Sequence, residues 1–344
     1  MSSFTLGLVA LGALVLVAVL VRNLLLLRRQ APRQAQTPPT AADTLSASER
    51  IEPYLEPNVQ AQLAMPVVAE RRPGLDALID VIATITLEQA ISAESVLAVI
   101  PATRRAGGKP YDIEGRNLIT QQWETPVAGQ RYDCFQAGVQ LANRSGPLNE
   151  IEYSEFVVKT QAFADALGGM VDFPDMREQV ARARELDQFA SAHDAQLSFT
   201  LRARNAPWSL GFLLQHAQQL GWVPGVVHGR MVLPAEQQGD SPLLVLNFET
   251  DAVHLDDPAN STIHKLLVSL DVPQVDRALE PFNKMCDLAQ ALAVRLDAMV
   301  VDDHGRALNA AALANIAADL QNLYDALDDR DLCAGSPQAR RLFS

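Results

Sequence analysis

The stretch "ADALGGMVDF" (residues 164–173) has a degenerate partner, "AVRLDAMVVD" (residues 293–302), later in the same 344-residue chain. Each reads as the end of an amphipathic helix running into a short apolar strand. At an offset of 129 positions, Phe156, Thr160, Phe163 and Leu167 fall on Met285, Ala289, Leu292 and Leu296. Both sets step i, i+4, i+7, i+11, which lines them up on one helix face. Met170 and Val171 then match Met299 and Val300 in the strand that follows.

Further matches lie upstream in the same order. "AGVQLA" (137–142) falls on "LLVSLD" (266–271), where apolar residues alternate with small or polar ones as in a half-buried strand. "WET" (123–125) pairs with "FET" (248–250), and "IEGRN" (113–117) with "VHGRM" (227–231). "IDVIATITL" (79–87) matches "LSFTLRAR" (197–204) as an alternating strand, and a helix follows each. The first of these helices starts at an N-cap, Ser92, and stops near Pro101. The second opens at Pro207 and carries Leu210, Leu213, Leu214 and Ala217 on one face. Each copy reads strand, helix, three strands, long helix, short strand, final helix. That order predicts an α+β fold: two tandem units of mostly antiparallel sheet, each with helices on one face.

Ahead of the repeats, "FTLGLVALGALVLVAVLV" (4–21) carries no charge, and apolar character continues to Leu27. At about 1.5 Å per residue the 4–27 stretch reaches ~36 Å, enough for one transmembrane helix. No basic residue precedes it, whereas Arg22, Arg28, Arg29 and Arg33 follow, so the remainder is expected on the cytoplasmic side. A Pro/Ala/Gln-rich tether comes next, with a coil span of roughly 35–40 Å. The expected organisation is an anchor at 1–29, a linker at 30–74, a diverged copy at 75–190, a second copy at 191–328 and a flexible tail at 329–344.

Acidic residues outnumber basic ones 41 to 28, which argues against nucleic-acid binding because phosphates require clustered Lys and Arg. Cys134, Cys286 and Cys333 show neither disulfide nor metal spacing. The six histidines form no metal-ligand pattern, and no motif asks for a cofactor. Asp302, Asp303 and His304 form the one tempting cluster. Its simple reading is a strand-to-helix turn; its chemical reading is a membrane-tethered hydrolase.

Residues 197–327 resemble the C-terminal domain of the bacterial division family ZipA. The resemblance rests on "LLQHAQQLGW", "VHGRMVLP", "LLVLNF", the strand ending "VSLDVP", and "DAMVVDDHGRALN" with its twin Asp302 and Asp303. It implies a non-enzymatic adaptor at the inner membrane that binds the C-terminal tail of FtsZ in an apolar groove on the uncovered sheet face. A scaffold for another cytoplasmic division or envelope protein is the alternative. Matching to the family puts Leu244, Leu246 and Phe248 on that open face. Leu267 and Ser269 join them on the next strand, and Ser198 and Thr200 on the first. The equivalent face of the first copy would show Ile119, Gln121 and Trp123. The role of that copy stays open between a second peptide site, an internal packing partner and self-association.

Overall fold

Strict alternation in "DVIATITLE" makes a strand that buries Val81, Ala83 and Ile85 on one side and leaves Thr84 and Thr86 exposed on the other. This is β1 (Asp80–Ser92), in a structure that describes residues 74–235, 239–248, 262–302 and 305–344 and is a computed structural model. The expected anchor and nearly all of the tether lie outside these residues. Among the described residues no helix is long and apolar enough to cross a membrane.

The described chain forms two compact units. One contains 72–197, 271–282 and 310–344; the other contains 198–270 and 283–309.

In the first unit β1 is flanked by β5 (Arg131–Gln140) and β8 (Met170–Asp172). Beyond β5 lie β3 (Lys109–Asn117) and β2 (Arg105–Ala106), with the two-residue β4 (Trp123–Glu124) pairing on β3. The unit's strand pairings among the described residues are antiparallel, with Val81, Ala83 and Ile85 level with Val139, Ala137 and Phe135. A short ladder, β6 (Ala142–Asn143) with β7 (Gly146–Pro147), holds the buried Lys109 ammonium through Asn143 Oδ1 and the Gly146 carbonyl. Burial pushes the Lys109 pKa down, because the charged form loses hydration.

Helices α1 (Ala93–Val99), α2 (Glu150–Leu167) and α3 (Met176–His193) complete this part of the chain. Asn149 and Glu152 form a reciprocal capping box at the start of α2. Of the expected stripe, Phe156, Thr160 and Phe163 are at most 1% exposed, and Leu167 at the helix end is half-buried. Each such phenylalanine contributes on the order of 2 kcal/mol through apolar area removed from water.

The second unit holds the sheet β10 (Val223–Pro224), β11 (Arg230–Leu233), β12 (Leu244–Phe248), β13 (Lys265–Asp271), β9 (Gln196–Ala203) and β14 (Ala298–Val301), in that spatial order. Helix α4 (Leu210–Gln218) buries Leu213 and Ala217, and α5 (Pro281–Leu296) buries Met285, Ala289, Leu292 and Leu296. The α4 helix opens later than Pro207, because the Ser209 hydroxyl caps it by accepting the Phe212 N–H.

The two sheets share a core arrangement: β5-β1-β8 in one and β13-β9-β14 in the other, each ordered middle, first and last along its copy. The repeated helix-to-strand junction recurs in three dimensions. Gly168 ends α2 in the left-handed region at φ 66°, and Asp297 follows α5 at φ 52°. The chain therefore turns the same way into β8 and into β14.

Three expectations need correction. "WET" and "FET" are not equivalent: Trp123 sits on β4, off the main path of its sheet, whereas Phe248 lies on β12, inside its sheet. Residues 329–344 are not a flexible tail. Ser336 caps α7 (Pro337–Leu342), and Leu332, Leu342 and Phe343 are at most 1% exposed. Nor does the last domain end at 328 as one body. The final helix α6 (Ala310–Asp328) belongs to the first unit, where Arg277 pairs with Asp325 and Asp328. In that unit Arg330, just beyond α6, pairs with Glu185 and lies over the Phe189 ring.

Candidate functional site

Helices cover one face of each sheet, so binding chemistry is left to the other. In the second unit the register fixes which side chains share that open face, since directly paired residues point the same way. Val223 is level with Val232, Val232 with Val245, and Val245 with Ser269. A second row sets Arg230 beside Asn247 and Asn247 beside Leu267. Ser198 and Thr200 alternate with the buried Phe199 and Leu201 and join the same face. Val232, Val245, Asn247, Leu267, Ser269, Ser198 and Thr200 are all half-buried, in contrast to the residues between them.

The intervening set includes two of the predicted contacts. Leu244 and Leu246 are 1% and 0% exposed, and Leu246 is level with the buried Val268. They belong to the core beneath the helices. Phe248, on the same side, is half-buried at the strand end. The expected placement of Leu244, Leu246 and Phe248 on the open face is therefore overturned. Leu267, Ser269, Ser198 and Thr200 stand where expected, and Val245 and Asn247 take the place of the β12 set.

At the β10–β11 end the valine row runs into a cavity of about 570 Å³, lined among others by Val226, Val227, Val232, Pro234, Pro242 and Arg230. Val226 and Val227 are exposed there. A shallow surface of valines, one leucine and small hydroxyls, with an arginine at its rim, suits a short peptide with a few apolar anchors. Only the strand register identifies Val223 and Val232 as part of it; their spacing in sequence carries no such signal.

The open face of the first sheet differs. Gly138, on β5, has no side chain, and a Cβ there would meet the Leu75 side chain at 2.5 Å. Leu75 thus sits over the strand, and its N–H donates to Glu114 Oε1 at 3.1 Å while Gln136 donates to Glu114 Oε2. Arg104 pairs with Asp112 beside it. At the end of β1, Arg341 of α7 makes a two-pronged ion pair with the fully buried Asp80, at 2.8 and 2.5 Å. Burial raises the Asp80 pKa, with Arg341 opposing the shift. What remains is a cavity of about 240 Å³ lined in part by Leu75, Asp112, Arg341 and Ser344.

Ile119, Gln121 and Trp123 form no strand face. Asn117 Oδ1 accepts the N–H groups of Ile119 and Thr120, folding residues 117–121 into a turn with Gln121 at φ 57°.

In the Asp302 cluster, Asp302 Oδ1 accepts the Arg306 N–H and its carbonyl accepts the Gly305 N–H, so this side chain closes a turn. Asp303 and His304 lie outside the described residues. Among the described residues no three His, Cys, Asp or Glu side chains are grouped to hold a metal ion. Cys134 is buried, and burial raises its pKa.

Residues 213–319 match the family model of the ZipA C-terminal FtsZ-binding domain, and the chain is ZipA-like over that span. No curated protein matches the chain. Among solved structures, one of alkyldihydroxyacetonephosphate synthase is 8% identical with a TM-score of 0.14, over 75% of this chain and 45% of its own length. The chain thus spans less than half of that structure, and a likeness so weak carries no argument.

Proposed function

We propose that this chain is a non-enzymatic division adaptor that binds the C-terminal tail of FtsZ on the open face of its second sheet and is tethered to the bacterial inner membrane by residues 4–27. The observation that carries the reading is the register-defined row Val223, Val232, Val245 and Ser269, inside the span that matches an FtsZ-binding family. The uncharged stretch 4–21 and the arginines after it support a single-pass anchor with the folded units on the cytoplasmic side. The tail would lie across the sheet, placing apolar side chains against Val232, Val245 and Leu267 while Asn247, Ser198, Thr200 and Ser269 take polar contacts. A few central anchors are expected to carry most of the affinity.

The test is titration of a labelled FtsZ C-terminal peptide against the full chain. Val245→Asp should weaken binding by about tenfold or more, since it places a carboxylate in the middle of the apolar row. Binding that ignores this substitution, or that is lacking even at high micromolar protein, would sink the reading.

A further inference from the structure

The turn that replaced the expected strand face in the first unit presents an apolar tip. Ile119 is 84% exposed, Val127 56%, and Leu118 and Trp123 each 41%. Other apolar side chains, such as Ile151 and Val294, are exposed singly, whereas these four fall within ten residues of one another. The tip is also held stiffly from beneath. Buried Asn117 donates to Glu124 Oε1 and Gln130 Oε1, Tyr132 donates to the same Glu124 oxygen, and the Val127 N–H donates to the Tyr132 hydroxyl. This scaffold fixes the loop and leaves its apolar side chains pointing away from it.

The chemistry of the tip points to its occupant. Residues 117–130 contain one charged side chain, Glu124, which is the acceptor at the centre of that scaffold. Arg116 and Arg131 flank the stretch. Arg116 pairs with Asp133, Arg131 donates to the Ala90 carbonyl, and Glu94 accepts the Gly129 N–H nearby. Asp133 matches Arg116, and Glu94 and Glu124 lie close by, so the border carries no net positive charge; what sets the tip apart is that residues 118–123 are uncharged and include Leu118, Ile119 and Trp123. Tryptophan beside isoleucine and leucine on an outward turn fits the headgroup boundary of a bilayer, which yields around a protruding group. As the coil its composition predicts, the tether at 30–74 would have an r.m.s. span of roughly 40 Å, which keeps the unit near the membrane.

We infer that the turn 118–123, with Val127, is a second membrane contact that sets Ile119 and Trp123 into the interface of the bilayer. The inference rests on the anchor proposed above. It gives the first unit a role of its own: holding the adaptor down on the membrane while the second sheet is left for the FtsZ tail.

The chain has three tryptophans, and Trp208 and Trp222 are at most 1% exposed, so Trp123 is the one open to lipid. The full chain is reconstituted into phosphatidylethanolamine/phosphatidylglycerol vesicles with or without brominated acyl chains, and tryptophan emission is recorded. Bromine should remove the Trp123 share of the emission. Ile119→Asp should restore it and leave FtsZ-tail affinity unchanged, and Trp123→Phe should show no bromine effect. Carbonate-resistant flotation without bromine quenching would overturn the tip contact alone, as would quenching unaltered by Ile119→Asp. Shielding of Trp123 from acrylamide by FtsZ without lipid, in place of quenching by bromine, would assign the tip to a protein partner and overturn the inference. Failure to float after carbonate would instead remove the anchor on which it stands.

Discussion

The two sheets share an arrangement of three strands, yet their open faces are built differently. In the second unit that face shows valine, leucine and small hydroxyls in level rows, half-buried and continuous with a cavity. In the first it is occupied by the chain itself: Leu75 over Gly138, Glu114 bonded to Leu75 and Gln136, and Arg341 clamped on Asp80. A duplicated surface need not be a duplicated site. A glycine in the right strand position, together with a charged side chain from the last helix, closes one copy and leaves the other available.

The contrast can be broken most forcefully at Arg341. Arg341→Ala strands the carboxylate of fully buried Asp80, and a loss of about 3 kcal/mol is expected at pH 7. The sign with pH follows from the raised Asp80 pKa. A carboxyl whose folded-state pKa lies above its unfolded value stabilises the fold as pH falls toward that unfolded value, and this contribution disappears as pH rises through the folded pKa. Without Arg341 the folded pKa moves higher still, so the penalty of the substitution should shrink between pH 7 and pH 4.5. Urea melts at the two pH values check this; an equal or larger penalty at pH 4.5 contradicts it.

Gly138→Val comes next, at about 2 kcal/mol, because the new side chain must displace Leu75. Hydrogen exchange at the Leu75 amide should accelerate as its bond to Glu114 is lost; unchanged protection would mean that Leu75 does not cap the strand. Within the second unit Val245→Asp should cost about 1.4 kcal/mol or more of peptide affinity. Thr84→Asp, on the exposed face of β1, should leave that affinity as it was, and equal effects would erase the distinction between the faces. The smallest contrast lies at the repeated junction. Gly168→Ala should cost about 1 kcal/mol for a left-handed backbone, whereas Asp297→Gly should stay within about 0.5 kcal/mol of the parent, because relief of strain is offset by loss of the Asn205 bond. Thermal melts of both variants test whether the two junctions are strained alike.

Much of the fold was legible because helical burial has a period that a single sequence displays. Phe156, Thr160 and Phe163 are buried as Met285, Ala289 and Leu292 are, and strand, helix, strands, long helix and short strand follow in that order in both copies, although six strands in the first and four in the second stand where three were expected. The open face of β12 was harder. Period-two alternation separates Leu244 and Leu246 from Val245 and Asn247 but does not say which set points inward. Hydrophobicity alone favoured the leucines for the core, and family matching pulled the other way. The turn at 117–121 was hidden because Asn117 acts through side-chain bonds to backbone N–H groups that no periodicity reveals. The ordered end had a readable signal in Ser336 followed by Pro337, an N-cap and a first-turn proline, with Leu342 and Phe343 beyond to be buried.

The place where the tether enters the first unit has a mechanical meaning. Arg341 donates to the Gly74 carbonyl as well as to Asp80, and Gln338 donates to Asp76, so the entering chain is stitched to the last helix just before it becomes β1. That strand lies inside its sheet, with β5 on one side and β8 on the other. In the proposed adaptor, tension from the membrane would therefore be borne along an interior strand, loading many ladder bonds at once in shear rather than peeling an edge strand bond by bond. An adaptor of the proposed kind would have its grip where a pull is shared.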